Sequence, residues 1–321
     1  GHAHRRRHRR DPAQHHRRAR ARPARGGPAG QGHPFRRGAP MRIFVSADIE
    51  GVAGIAHYPS TGPGRFDYEA GRRWMTQEVA AACEAAIEAG ATEVLVTDGH
   101  GSAHNILFDE LPDAARLVRS WPRPLVQMQG IDDGHFDAVV FVGHHASAPS
   151  WAGILSHTFV LAFRDVRLNG VSQSETSMNA LLAAHHGVPV VFSSGDDAYI
   201  AHCREVLPEI ETVVTKKVCG LTSIDSLKPA VAQRLIREGV GRALGRLHTF
   251  KPLPLPGTFE LEIEFADRSQ PEMWGWLPWC ERVSPFAVRW RLRDMPEVMR
   301  VIAFASFYQS HGVPRYGEGR P

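Results

Sequence analysis

Three short apolar runs punctuate the first half of the chain, and each stops at residues able to bind a metal. Arg42-Ile43-Phe44-Val45-Ser46-Ala47 leads into Asp48-Ile49-Glu50-Gly51, Glu93-Val94-Leu95-Val96-Thr97 into Asp98-Gly99-His100-Gly101, and Ala138-Val139-Val140-Phe141-Val142 into Gly143-His144-His145-Ala146. Uninterrupted apolar, β-branched runs of this length predict strands buried on both faces. Between the first two, residues 66–89 predict a helix. Met75, Val79, Cys83 and Ile87 repeat at four-residue spacing, Ala82 and Ala86 lie beside them, and Gly90 follows as a stop. Strand, helix and strand together predict a βαβ unit with a parallel pair.

Further along, residues 115–119 predict a short strand. Residues 154–168 predict a hairpin or extended pair, with Asn169-Gly170 as a turn signal. A helix follows over 173–186, closed by Gly187, then a buried strand over 188–192. Gly195-Asp196-Asp197 opens a helix to about residue 207, and Val213-Val214 ends a last short strand of this part. The texture changes near residue 250, where residues 251–257 form a Pro-rich linker. Residues 258–265 and 288–292 alternate as half-exposed strands do, and Met295, Val298, Val301, Ile302 and Ala305 carry helical spacing across 294–308. The expected fold is α/β, a mostly parallel sheet flanked by helices with a smaller C-terminal α+β subdomain. The expected division is 1–40 as a disordered Arg/His-rich extension, 41–250 as a metal-binding catalytic domain and 251–321 as the α+β subdomain.

With 321 residues, 43% of them apolar, the chain can build one sizeable core or two modest ones. It holds no apolar stretch near the ~20 residues a membrane helix needs. Residues 1–40 hold 12 Arg, one Asp and no Lys or Glu, a net charge of +11, which leaves 26 basic against 33 acidic residues in 41–321, or −7. The basic balance therefore belongs to the extension, while the body is mildly acidic. Clustered Arg is what a nucleic-acid-binding arm uses, but no aromatic residues are interleaved as a stacking platform. Upstream sequence, with Met41 as the natural start, is the favoured reading. Cys83, Cys203, Cys219 and Cys280 are scattered without a C-x-x-C pair, which suits buried thiols and a cytoplasmic, reducing setting.

In an open parallel sheet, ligands bind beyond the carboxyl ends of the strands. Three strand ends that each deliver carboxylate or imidazole therefore read as one site. Oxygen and nitrogen donors without thiolate suit Zn²⁺, with Mn²⁺, Fe²⁺ and Co²⁺ open, and point to a metal-dependent hydrolase. Each residue also has a structural alternative. Asp48 and Glu50, two apart, can face one side of a strand end or cap the loop 51–54. Asp48 is the natural carboxylate to bridge two metals ~3.5–4 Å apart. His100 can be a ligand or a turn histidine. Of His144 and His145, one is expected as a ligand and the other oriented or exposed. His157 sits in an apolar segment where a lone His is often core. Glu175 stands at a helix start that favours an acid in any case.

Taken together these motifs resemble a known family. Ser46-Ala47-Asp48-Ile49-Glu50-Gly51-Val52-Ala53-Gly54 is similar to the S-x-D-x-E-G-x-x-G opening of the zinc-dependent D-aminopeptidases, peptidase family M55. The similarity continues through Asp98-Gly99-His100, Gly143-His144-His145-Ala146, Ser156-His157, Glu175 with Asn179-Ala180, Gly195-Asp196-Asp197 and the Pro-rich linker, covering about 41–310. The resemblance implies two zinc ions held by Asp48, Glu50, His100, His145 and Glu175, with Asp48 bridging. It implies His157 as the catalytic histidine, as an oxyanion stabiliser or a nucleophile. The family register favours His145 over His144, where relatives can carry Tyr. It further implies release of the N-terminal residue from short D-amino-acid peptides of the D-Ala-D-Ala type. The implied assembly is a homo-oligomer, a ring-like decamer with active sites on an internal channel. No nucleic-acid or membrane partner is expected. The alternatives are a dinuclear amidase or deacetylase acting on small non-peptide amides, nucleic-acid binding through residues 1–40, and a metal-free structural or carrier protein.

Overall fold

The three apolar runs become neighbouring parallel strands. The structure, a computed structural model, describes residues 40–308. Apart from Pro40, the extension 1–40 and the functions weighed for it lie outside the described residues. In chain order the elements are β1 (Met41–Ala47), α1 (Tyr68–Glu88), β2 (Ala91–Asp98), β3 (Ala115–Val118), β4 (Ala138–His144), β5 (Phe163–Leu168) and β6 (Val171–Ser172). There follow α2 (Glu175–His185), β7 (Val190–Asp196), α3 (Asp197–Val206), β8 (Glu211–Gly220), β9 (Ser223–Ser226) and α4 (Pro229–Gly245). Then come β10 (Phe259–Phe265), α5 (Ser269–Trp274), β11 (Glu281–Arg282), β12 (Ala287–Leu292) and α6 (Met295–Phe307).

The main sheet has the order β3-β2-β1-β4-β7-β8-β9, parallel throughout except for β9 at its edge. From β1 the chain builds outward through β2 and β3, then returns to place β4 on the other side of β1. The order thus reverses between β1 and β4, and such a switch point opens a crevice at the strands' carboxyl ends. Period-two alternation sends Ile43, Val45 and Ala47 of β1 into a core shared with α1 and α4, and Phe44 into a core shared with α2, α3, α6 and the second sheet. On α1, Met75, Val79 and Cys83 are fully buried, as the four-residue spacing predicts.

The second sheet, β11-β12-β10-β5-β6, is antiparallel. Leu261, Ile263 and Phe265 of β10 face the core. Glu262 faces out and pairs with Arg167 of β5 and Arg289 of β12. Its strands do not all come from beyond residue 250: β5 and β6, joined by the Asn169-Gly170 turn, form one edge. The proline-rich linker returns the chain to a sheet begun at residue 163, and Leu253 and Leu255 pack on the core as it passes.

Three expectations differ from the structure. The apolar residues 154–162 form no strand. Leu155 and Phe159 take positive φ, and the segment is held as a loop by His157 N–H on the Ala146 carbonyl and Ala148 N–H on Thr158 Oγ1. Residues 215–250, to which no element was assigned, hold most of β8, all of β9 and the 17-residue α4. The helix α4 buries small residues, Ala232, Gly239 and Ala243, beside Ile236 and Val240, so its apolar stripe is weak in sequence. Of the four free cysteines, Cys83, Cys203 and Cys280 are buried but Cys219 is exposed, near the β8–β9 turn.

Candidate metal centre

Close backbone approaches set the strand-end loops before any side chain is placed. Asp48 N–H donates to the Val142 carbonyl at 2.9 Å and Gly51 N–H to the Gly143 carbonyl at 2.8 Å. A Cβ on Gly51 would lie 2.0 Å from the His144 oxygen, and one on Gly143, whose φ is +71°, would lie 2.3 Å from the Asp48 oxygen. Only glycine allows the ends of β1 and β4 to touch in this way.

Around that contact the structure brings Asp48, Glu50, His100, His145, His157 and Glu175 together. His100 Nδ1 lies 3.2 Å from Asp48 Oδ1 and 3.0 Å from Glu50 Oε2. His145 Nε2 lies 3.7 Å from Asp48 Oδ2 and 3.4 Å from Glu175 Oε1, and His157 Nε2 is 4.0 Å from the same Glu175 oxygen. Asp48 is the shared member, with one oxygen on the His100–Glu50 side and the other on the His145–Glu175 side. Glu175 is the first residue of α2, whose N-terminus is closed by a capping box between Ser174 and Ser177. The loop 154–162 is anchored to it, since Phe159 N–H donates to Glu175 Oε1 at 2.6 Å.

All three imidazoles are oriented the same way. His100 Nε2 donates to the Thr61 carbonyl, His145 Nδ1 to the Ala146 carbonyl and His157 Nδ1 to the Leu155 carbonyl, each at 2.9 Å. A histidine whose one nitrogen is tied to the main chain can present the other, once deprotonated, as a fixed lone pair, the usual arrangement of a metal-ligating histidine. His145 Nε2 is buried and has no hydrogen-bond partner. A buried nitrogen without a partner, facing two carboxylates, fits a cation. Three ligand groupings occur here, Asp48-Glu50-His100, Glu50-His145-His157 and Asp48-His144-Glu175, each with donor atoms within 4.8 Å of one another. The donors are oxygen and imidazole nitrogen, which suits zinc.

His144 is buried rather than exposed. Its Nε2 donates to the Ser46 carbonyl at 3.3 Å, its ring packs on Phe141, and burial pushes its pKa down to about 4. Asp98 caps its own loop, accepting from Asn105 N–H, Asn105 Nδ2 and Ile106 N–H.

The electrostatics follow from packing three carboxylates into a buried space. Burial and the charge of Glu50 raise Asp48 well above the usual range. Burial opposes the ionised Glu50 and Glu175 too, but His100 lowers the first and His145 holds the second at about 2. Burial would strip His145 of its proton, yet Glu175, Glu50 and Asp48 lift it to about 10. His157 is lowered by burial and by the charge of His145. Glu50 and Glu175 thus keep their negative charge, balanced by protons on His100 and His145, while Asp48 is pushed toward its protonated form.

Three polar residues at the site carried no sequence signal of their own role. Gln127 donates from Nε2 to Asp48 Oδ2 at 3.1 Å and to Glu175 Oε2. Asn179, one turn along α2 from Glu175, donates to Gln127 Oε1 at 2.7 Å. Buried Lys216 on β8 donates to the carbonyls of Glu50, Val52 and Ile55, fastening the loop after β1. Asn179 stood inside a family motif, whereas Gln127, between Val126 and Met128, and Lys216, between Thr215 and Lys217, stand in no motif.

A family model described as D-aminopeptidase, Peptidase_M55, matches residues 41–304. A D-aminopeptidase of Bacillus subtilis (strain 168) is 32% identical over 263 residues, 82% of this chain and 95% of that protein. The solved structure of the Zn-dependent D-aminopeptidase DppA from Bacillus subtilis, described as a self-compartmentalizing protease, superposes with a TM-score of 0.79 at 30% identity, covering 84% of this chain and 99% of that one. Matched along nearly all of its described length, the chain belongs to the D-aminopeptidase family of metallopeptidases, M55.

Proposed function

We propose that this protein is a dinuclear zinc aminopeptidase that releases the N-terminal residue of short D-amino-acid-containing peptides, of the D-Ala-D-Ala type. The observation that carries the proposal is the two-sided Asp48 carboxylate, set between the His100–Glu50 group and the His145–Glu175 group. The zinc dependence of DppA supports the choice of metal. Asp48, Glu50, His100, His145 and Glu175 would hold two ions, with Asp48 common to both. Zinc there would supply Lewis-acid polarisation of the scissile carbonyl and acidification of water.

The chain's own groups do the rest. The free amine of the substrate would be taken by one zinc or by a carboxylate of the cluster, which selects an N-terminus. His157, with Nδ1–H spent on Leu155, offers Nε2 toward the cluster. Burial and the positive charge beside it lower the pKa of this ring, which favours the neutral form that can take a proton and then donate it to a developing oxyanion. A homo-oligomer, a decamer by resemblance, is proposed on the same basis as the metal, since DppA is self-compartmentalizing. Among the described residues no helix is long and apolar enough to cross a membrane. A cytoplasmic setting is proposed together with the family reading.

The test is metal analysis of the purified full chain, paired with hydrolysis of D-Ala-D-Ala against L-Ala-L-Ala. About two zinc ions per chain with selective cleavage of the D-dipeptide is the expected result. Two ions without D-dipeptide cleavage would move the substrate to other small amides. No bound metal after zinc is supplied would sink the proposal.

A further inference from the structure

We propose that Gln127, held in place by Asn179, is a positioning residue that ties the Asp48 and Glu175 carboxylates together, so that the metal centre is preassembled before metal enters. The proposal rests on the metal-binding role of those two carboxylates. A primary amide has two N–H donors, and Gln127 turns Nε2 toward carboxylates carried by different elements, Asp48 after β1 and Glu175 on α2. Its oxygen accepts from Asn179 Nδ2, which fixes the amide with nitrogen toward the acids. Turned the other way, the amide would place an oxygen against two carboxylates.

Neutrality matters here. Carboxylates forced together in a buried space repel, and something must donate to them. An Arg or Lys at position 127 would do so, but its fixed charge would repel the cation the site is to hold. An amide relieves the repulsion without that charge.

Two further features converge on Gln127. Val126, immediately before it, sits at φ +50°, a conformation β-branched residues very rarely adopt. Backbone strain of this kind persists where the surrounding structure enforces it, often at functional sites. On the other side, a Cβ on Gly99 would stand 2.9 Å from Gln127 Cγ, so the glycine of Asp98-Gly99-His100 leaves room for this side chain. Gln127 itself is 4% exposed, so the amide is not there to meet solvent.

The test is zinc affinity of the full chain, stripped of metal and titrated with zinc against a chromophoric chelator, alongside the melting temperature of the stripped protein. Q127M keeps the size and removes the donors. It is expected to weaken zinc binding by about 10–100-fold, the usual effect of losing a group behind the ligands, and to lower the melting temperature of the stripped protein, because the two carboxylates lose their shared donor. N179A is expected to weaken binding less, and to add nothing in the Q127M background. Wild-type affinity in Q127M, or fully additive losses in the double variant, would overturn the proposal. Should Q127M fail to fold, N179A alone decides, since unchanged zinc affinity there also overturns it. Failure of the wild-type chain to bind zinc would instead remove the metal centre on which the proposal stands.

Discussion

The imidazole of His145 lies flat on that of His157, with ring centroids 4.1 Å apart and planes 11° from parallel. The two rings arrive from different segments, His145 directly after β4 and His157 on the irregular loop 154–162. Each presents Nε2 to Glu175. Stacking tolerates one charged ring, not two, and the charge resides on His145 while His157 is held neutral. On the proposed reading, His145 would give up its proton to hold a cation, and His157 would be the ring that moves a proton.

That division predicts the outcome of H157A. The variant is expected to retain two zinc ions per chain while turnover of D-Ala-D-Ala falls by about 10²–10⁴-fold, the usual contribution of a proton-transferring side chain. Metal analysis and the dipeptide assay on the same preparation check it. Zinc lost in step with activity would make His157 a ligand.

Asp48 turns one oxygen to the His100–Glu50 side of the cluster and the other to the His145–Glu175 side, so D48N is expected to cost at least one ion. Zinc per chain after dialysis should fall from two to one or fewer, whereas a variant that keeps two would deny Asp48 its shared position.

Zinc binding should be coupled to protons. His145 is raised to about 10 in the metal-free protein, so at neutral pH the ring carries a proton that zinc must displace. Affinity is therefore expected to rise with pH from the neutral range toward 10, with proton release on binding. Calorimetry in buffers of different ionisation enthalpy measures that release directly, and an identical heat in every buffer would contradict it.

Two glycine substitutions should act in opposite directions. G143A places a Cβ at positive φ and against the Asp48 carbonyl, and should lose at least about 1–3 kcal/mol of stability from the backbone conformation alone. Gly241, inside α4 with open space around it, should gain about 0.5–1 kcal/mol as alanine. Melting of the metal-free proteins reports both, and equal melting temperatures would refute the pair.

Much of the site was legible because it lies at the ends of strongly patterned elements. Runs such as Ile43 to Val45 and Val139 to Val142 are apolar enough to be buried on both faces, and a parallel sheet delivers whatever follows such runs to one edge. Asp48, Glu50, His100 and the His144-His145 pair follow from that as candidates, while the choice of His145 within the pair comes from the family resemblance. Glu175 and His157 follow from motif rather than from pattern, and the loop carrying His157 is irregular where its sequence reads as extended. Ile154 and Leu155 join one core and Phe159 and Val160 pack on the other instead of alternating across a sheet, and Leu155 and Phe159 turn at positive φ.

By itself the sequence determined the type of most elements, the βαβ start, the mildly acidic body and the chemistry gathered at three strand ends. Those follow from local periodicity and residue type, which a chain carries wherever it folds. Tertiary structure alone decided that β10 pairs with β5 across the long interval from Leu168 to Leu261, that Gln127 meets Asp48 and Glu175, and that Lys216 finds the carbonyls of Glu50, Val52 and Ile55. A lone buried polar residue must find partners, but which partners it meets depends on segments far away in the chain, and no local pattern records them.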